Sequence, residues 1–156
     1  LGGVPIQFVY MLVVIVISGL ILNRTKFGRN IYAVGDNRQA ASYSGINSRR
    51  VTMMVFVIMG IFASCAGILS SARTFSAQFN VGEGSEMDAI SAVVLGGTSM
   101  SGGVGRLSGT IIGCIVIGVL NNGMNILGID SSWQYVVKGV VVLIAVFIDY
   151  IKKMKD

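Results

Sequence analysis

Residues 23–50 read Asn23-Arg24-Thr25-Lys26-Phe27-Gly28-Arg29-Asn30-Ile31-Tyr32-Ala33-Val34-Gly35-Asp36-Asn37-Arg38-Gln39-Ala40-Ala41-Ser42-Tyr43-Ser44-Gly45-Ile46-Asn47-Ser48-Arg49-Arg50, a polar stretch between two apolar runs. Six of the chain's 12 basic residues fall here (Arg24, Lys26, Arg29, Arg38, Arg49 and Arg50) against one acid, Asp36. Between two membrane spans, such an excess of Lys and Arg places a short loop in the cytoplasm. Inside the loop the punctuation predicts a short helix. Asp36 is an N-cap residue with Gln39 three positions on, the spacing of a capping box. Gly45 suits the left-handed position that ends a helix. The eight residues 37–44 between them give about 12 Å of helix. Ala40, Ala41 and Ser44 keep part of its surface thin. A helix this short does not hold in water alone, so it needs a surface to dock against.

The flanking runs set the class. Of 156 residues, 53% are apolar and 12% charged, and the mean hydropathy is +0.76; these values argue against a soluble fold. The net charge of +5 sits at the ends of apolar runs and forms no aromatic-studded patch. It therefore reads as a topology and lipid-surface signal, not a nucleic-acid site. Spans are expected at about residues 6–22, 51–72, 106–121 and 133–151, each near the length that crosses ~30 Å of hydrocarbon. Pro5 opens the first, where a helix tolerates it. The N-terminus lacks a basic region, apolar core and cleavage site in the order of a signal peptide. Trp133 and Tyr135 suit the outer interface, and Lys152, Lys153 and Lys155 hold the C-terminus inside. The expected fold is an all-α membrane protein of about four transmembrane helices, with a short re-entrant or broken helix and a helix in the cytoplasmic loop.

The broken element falls at residues 87–105. Its apolar part is about half a bilayer long and runs into Gly96-Gly97-Thr98-Ser99-Met100-Ser101-Gly102-Gly103-Val104-Gly105. Irregular backbone at membrane depth is tolerated only where protein or water surrounds it. Interrupted helices of this kind occur along transport routes in other carriers. This makes Gly96, Gly97, Thr98 and Ser99 candidates for a translocation path. Gly105, Gly109 and Gly113 then form two G-x-x-x-G steps fit for close helix packing. Asn121, Asn122 and Asn125 cap the helix, contact a second helix or line the path. Lys138 either snorkels to the interface or takes an interhelical or pathway role. Arg106 is expected to tie the glycine turn to backbone carbonyls or to mark its inner end, and Asp149 to pair with a nearby lysine. Glu83, Glu86 and Asp88 form an acidic edge in an outer loop.

Several chemistries have no support. The run from Gly97 to Gly103 lacks the lysine and hydroxyl residue of a phosphate loop. No histidine is present to act as a base, and no nucleophile elbow occurs. Cys65 and Cys114 lie in apolar runs as small hydrophobes, and no ligand set for a structural metal exists. The chain is expected to bind no cofactor and no metal of its own and not to be an enzyme.

The motif Gly35-x-Asn37-x-x-Ala40-Ala41-x-x-Ser44-Gly45-Ile46-Asn47 resembles the coupling-helix loop of bacterial ATP-binding-cassette importer permeases for simple sugars, the ribose and galactoside type. The resemblance continues through Glu86-x-Asp88-Ala89-Ile90-x-Ala92-Val93-Val94-Leu95-Gly96-Gly97-Thr98-Ser99, Gly102-Gly103-x-Gly105-Arg106, Asn121-Asn122-Gly123 and Trp133-Gln134-Tyr135-x-x-Lys138-Gly139. It covers the C-terminal half of such a permease. It implies a multi-pass subunit of the cytoplasmic membrane, embedded in membrane lipid, that imports a monosaccharide. The segment at 36–46 would engage a separate ATPase subunit that holds ATP and Mg. A second permease subunit would complete a homodimer, and a periplasmic or lipoprotein sugar-binding protein would dock at Glu83, Glu86 and Asp88. The implied sugar is ribose or a similar one, with galactose or methyl-galactoside, xylose or another small sugar as alternatives. The Leu95–Ser99 run and Asn121-Asn122-Gly123 resemble the ribose permeases, while Trp133-Gln134-Tyr135 and Lys138-Gly139 resemble the galactoside ones, so the choice stays open. A passive channel or facilitator is the rival reading.

Overall fold

The computed structural model describes residues 5–75 and 82–155. The chain divides into two compact units, Leu1–Val81 and Gly82–Asp156. Among the described residues all regular structure is helical. Three helices are long and apolar enough to cross a membrane, Ile6–Arg24, Ser48–Thr74 and Leu107–Ile126, and the apolar stretch Ser131–Phe147 belongs to a fourth long helix. The side chains of Asp149, Lys152, Lys153 and Lys155 lie outside the described residues, as do positions 76–81 of the outer loop.

In the first unit, α1 (Ile6–Arg24) starts after Pro5. It is apolar all round, as suits a helix in lipid. Its end and the start of α2 (Lys26–Asp36) share one residue. The Thr25 hydroxyl donates to the Ile21 carbonyl at 2.6 Å and accepts from the Gly28 amide at 3.0 Å. The turn brings Gly28 against the end of α1, where a Cβ would overlap the Leu22 carbonyl oxygen. Because the obstacle is backbone, Gly28→Val should cost about 2 kcal/mol through overpacking. A drop in thermal midpoint of the extracted protein checks it.

Helix α2 was not expected; residues 23–50 read as a loop holding one helix. Its apolar side chains Phe27 and Ile31, four positions apart, share one face and line a groove of 450 Å³ with Leu22 of α1 and Val55 and Phe62 of α4 (Ser48–Thr74). Two consequences correct the sequence reading of the next turn. Because α2 runs through Asp36, that residue's backbone is helical and unavailable as a cap. Asn37, extended at φ −145° and ψ 105°, takes the role: its Oδ1 accepts from the Gln39 and Ala40 amides at 3.0 and 2.9 Å. The helix that follows, α3 (Arg38–Tyr43), has six residues, shorter than the expected 37–44. Gly45 does sit in the left-handed region at φ 80°. Its amide donates to Ser42, and that of Ile46 to Ala41, each at 3.0 Å; this pair of bonds is the Schellman closure. Asn47 then caps α4 through the Arg50 amide at 3.0 Å.

In the second unit, α5 (Ser85–Leu95) has 11 residues, about 16 Å of helix. It ends in a second Schellman closure at Gly97, with φ 82° and bonds from Gly97 to Val94 and from Thr98 to Val93 at 2.9 and 3.2 Å. A tight reversal follows: the Ser99 amide donates to the Val104 carbonyl at 2.9 Å, and Gly102 to Ser99 at 3.1 Å. Helix α6 (Leu107–Ile126) returns along α5. The glycine stripe makes that contact. A Cβ at Gly109 would overlap the Gly96 carbonyl, one at Gly113 the Ala92 carbonyl, and one at Gly105 would meet the Thr98 side chain at 3.0 Å. Gly128, at φ 66°, closes α6 in the same manner, and α7 (Ser131–Lys155) packs on α5.

Candidate functional site

Two groups of polar and exposed residues stand out, one in each unit. In the first, α3 is closed at both ends and fastened to the start of α4. The Arg38 guanidinium donates to Thr52 Oγ1, and the Ser48 hydroxyl to the Arg38 carbonyl, both at 3.4 Å. Ala41 is buried, 4% exposed. It is therefore not part of a thin outer face, as the sequence had suggested. Ala40 and Ser44 are exposed, with the Ser44 hydroxyl donating back to the Ala40 carbonyl at 3.0 Å. Gly35 and Asp36 form the exposed last turn of α2, and Ile46 is half-buried.

The residue that sequence reasoning missed here is Tyr43, 90% exposed at the end of α3. Exposed Arg38, Arg49 and Arg50 complete the surface. Beside it is a notch of 430 Å³ lined by Ser42, Gly45, Ile46, Asn47, Ser48 and Arg49. An aromatic ring and guanidinium groups on a pre-shaped helix are the residue types that dominate protein–protein contacts. The signal was available: Tyr43 is the one aromatic in a segment otherwise built of small and polar residues.

In the second unit the path candidates separate into two places. Gly96, Gly97, Thr98 and Ser99 lie at the C-terminal end of α5. There Ser99 is 7% exposed, and a small apolar recess of 290 Å³ opens beside Ala89, Val93, Thr98 and Met100. Asn121 and Lys138 gather instead around the first turn of α5, about 12 Å away along its axis. Lys138 Nζ lies 2.6 Å from Asp88 Oδ1, and Asn121 Nδ2 donates to Asp88 Oδ2 at 2.9 Å. Oδ2 thus accepts from α6, while Oδ1 lies beside the α7 ammonium as an ion pair with no aligned hydrogen bond among the described residues. Lys138 also stands 5.7 Å over the Tyr135 ring. That ring is packed so close to Gly84, just before α5, that a Cβ there would meet it at 2.7 Å.

A second bond ties the same end together: Gln134 Nε2 donates to Asn125 Oδ1 at 3.0 Å and to the Ile129 carbonyl at 2.9 Å. Of the readings open for the asparagines, contact with a neighbouring helix is the one seen for Asn121 and Asn125. Asn122 is exposed. Lys138 takes the interhelical role. Asp88 faces this cluster, whereas Glu83 and Glu86 are exposed at the start of α5. Asn121 Oδ1 is buried with no hydrogen-bond partner among the described residues. No group of three metal-ligating side chains occurs among the described residues.

The profile of the family described as "Branched-chain amino acid transport system / permease component" matches residues 3–146. The chain is 50% identical over 147 residues to the ribose import permease protein of Bacillus subtilis (strain 168), an alignment that covers 94% of this chain and 46% of that protein. It is 48% identical over 147 residues to the ribose import permease protein of Escherichia coli (strain K12), with the same 94% and 46% coverage. To the xylose transport system permease protein of Haemophilus influenzae (strain ATCC 51907 / DSM 11121 / KW20 / Rd) it is 44% identical over 154 residues, 98% of this chain and 41% of that one. The chain thus spans less than half the length of these curated relatives. No solved structure shows a significant match to the chain.

Proposed function

We infer that this chain, which belongs to the family of branched-chain amino acid transport system permease components, is part of the membrane permease of an ATP-driven importer for a simple sugar. It is a multi-pass protein of the cytoplasmic membrane. The observation that carries the coupling part of this reading is α3: six residues, capped by Asn37, closed by Gly45, seated on α4 and presenting Tyr43 outward. In this reading α3 enters a cleft on a separate ATPase subunit, which holds ATP and Mg²⁺. Arg38, Arg49 and Arg50 complement an acidic rim there. This chain carries no hydrolytic step. A second permease subunit completes a homodimer, and a sugar-binding protein delivers substrate to the exposed acids Glu83 and Glu86.

The two ribose import permeases at 50% and 48% identity favour ribose over xylose as the transported sugar. Coupling needs little from the permease but rigidity. Moving a two-state equilibrium from about 1:99 to 99:1 takes about 5.5 kcal/mol, which nucleotide turnover on the partner supplies and α3 transmits.

A photoreactive side chain at Tyr43 tests the contact. In native membranes it is expected to capture a nucleotide-hydrolysing subunit, with a yield that changes on adding a non-hydrolysable nucleotide. Labelling of Ala40→Cys only from the outer face of the membrane, or capture of no such subunit, would defeat the reading. It would then favour a passive facilitator.

A further inference from the structure

We propose that Asp88 and Lys138 act as an obligatory charge pair that positions α5, fixing the tilt of this half-length helix and with it the turn at Gly96–Gly105. The inference goes beyond the transport reading and rests only on the chain's placement in a membrane.

Helix α5 cannot hold itself by length. Its contact with α6 is backbone against backbone, through Gly96 with Gly109 and Ala92 with Gly113. Such small-residue contacts hold the two helices close along the C-terminal half of α5. What fastens its other end is polar. Lys138 sits seven residues into α7, about 10 Å from that helix's start, and its side chain is 11% exposed, against 31% for Asp88. An ammonium so far from water needs a counter-charge, and ionisable groups within spans pair with one another for that reason. Asp88 supplies the charge at 2.6 Å. Asn121 holds the second carboxylate oxygen at 2.9 Å, which stops the carboxylate from rotating away. Asp88 also lies in the first turn of α5, where a negative charge is favoured by the helix dipole. One carboxylate therefore joins α5 to α6 and α7 together. Because α5 is a single rigid rod, freeing it at Asp88 swings its far end, where Ser99 is now buried.

The test follows Ser99 in the complete permease in native membranes. In a background carrying Cys65→Ser and Cys114→Ser, Ser99→Cys is labelled with a membrane-permeant maleimide. Asp88→Asn or Lys138→Met alone is expected to raise the labelling rate about tenfold, equivalent to about 1.4 kcal/mol in the opening equilibrium. Asp88→Asn combined with Lys138→Met removes both charges and keeps an amide for Asn121. The combination is expected to return the rate to within about threefold of the parent, because removing one partner of a partly desolvated pair leaves the other charge uncompensated, whereas removing both does not.

Singles that label at the parental rate, or a double variant as reactive as the worse single, would overturn the proposal. If the singles fail to accumulate, the amount of double variant decides: recovery supports the pair, and equal absence overturns it. Labelling and accumulation need neither sugar nor ATPase, so this proposal and the transport reading fail independently.

Discussion

Leucine in place of Gly113 is expected to lower the folded-to-unfolded ratio after extraction from the membrane by roughly a hundredfold. The added Cβ would overlap the Ala92 carbonyl oxygen, and a backbone oxygen inside a helix cannot turn aside as a side chain can. The two helices must separate, and one helical turn away Gly109 is pressed against the Gly96 carbonyl in the same way. In lipid no hydrophobic driving force draws helices together; close packing itself holds them. Separation therefore loses the contact that keeps the short α5 in place. Overpacking at a close-packed site costs about 3 kcal/mol, a change of roughly a hundredfold in the folded ratio. Size-exclusion profiles and thermal scans of the extracted protein measure this. Leucine at Gly118, on the same helix but with nothing within 4 Å of its Cβ position, should be tolerated far better.

Proline at Gly45 is the second large effect, and it is functional rather than structural. Gly45 has φ 80°, whereas proline is fixed near −65°. The substitution also removes the amide that donates to Ser42 at 3.0 Å. The closure of α3 is lost while α1, α4 and the second unit keep their own contacts. On the proposed coupling role of α3, the expected result is normal insertion with uptake reduced at least about tenfold, about 1.4 kcal/mol of lost coupling, and hydrolysis on the proposed ATPase partner no longer answering to substrate. Asparagine, which tolerates the left-handed region, should retain most of the uptake at the same position. Uptake of labelled sugar alongside nucleotide hydrolysis in reconstituted vesicles separates the two outcomes.

The contrast between these two glycines shows what could be read in the sequence. Gly105, Gly109 and Gly113 recur every four residues, and that spacing alone places them on one helix face. Gly45 follows a run of helix-forming residues and reads as a terminator without knowledge of the fold. The long apolar runs declare themselves by composition. Helix α2 was missed because its charges drew attention to the segment as a loop, although Phe27 and Ile31 carry a helical spacing. Asp36 and Asn37 are adjacent and both favour caps; only the length of α2 decides between them. The Asp88–Lys138 pair was out of reach for a different reason. The two residues are 50 positions apart in sequence, and their meeting depends on the rotational register of α7 against α5, which no local pattern encodes. Asp88 accordingly read with Glu83 and Glu86 as one acidic edge, and the fold turns it away from them.

Three helices, α3, α5 and α6, finish in the same left-handed glycine closure, at Gly45, Gly97 and Gly128. Their stopping points are thus written into the chain and do not depend on where the bilayer ends. A membrane thinner or thicker than the native one cannot lengthen or shorten these rods. Any misfit must be taken up by leaning, by the surrounding lipid or by the connecting turns. Rods of fixed length keep the same end-to-end span whatever the local lipid composition.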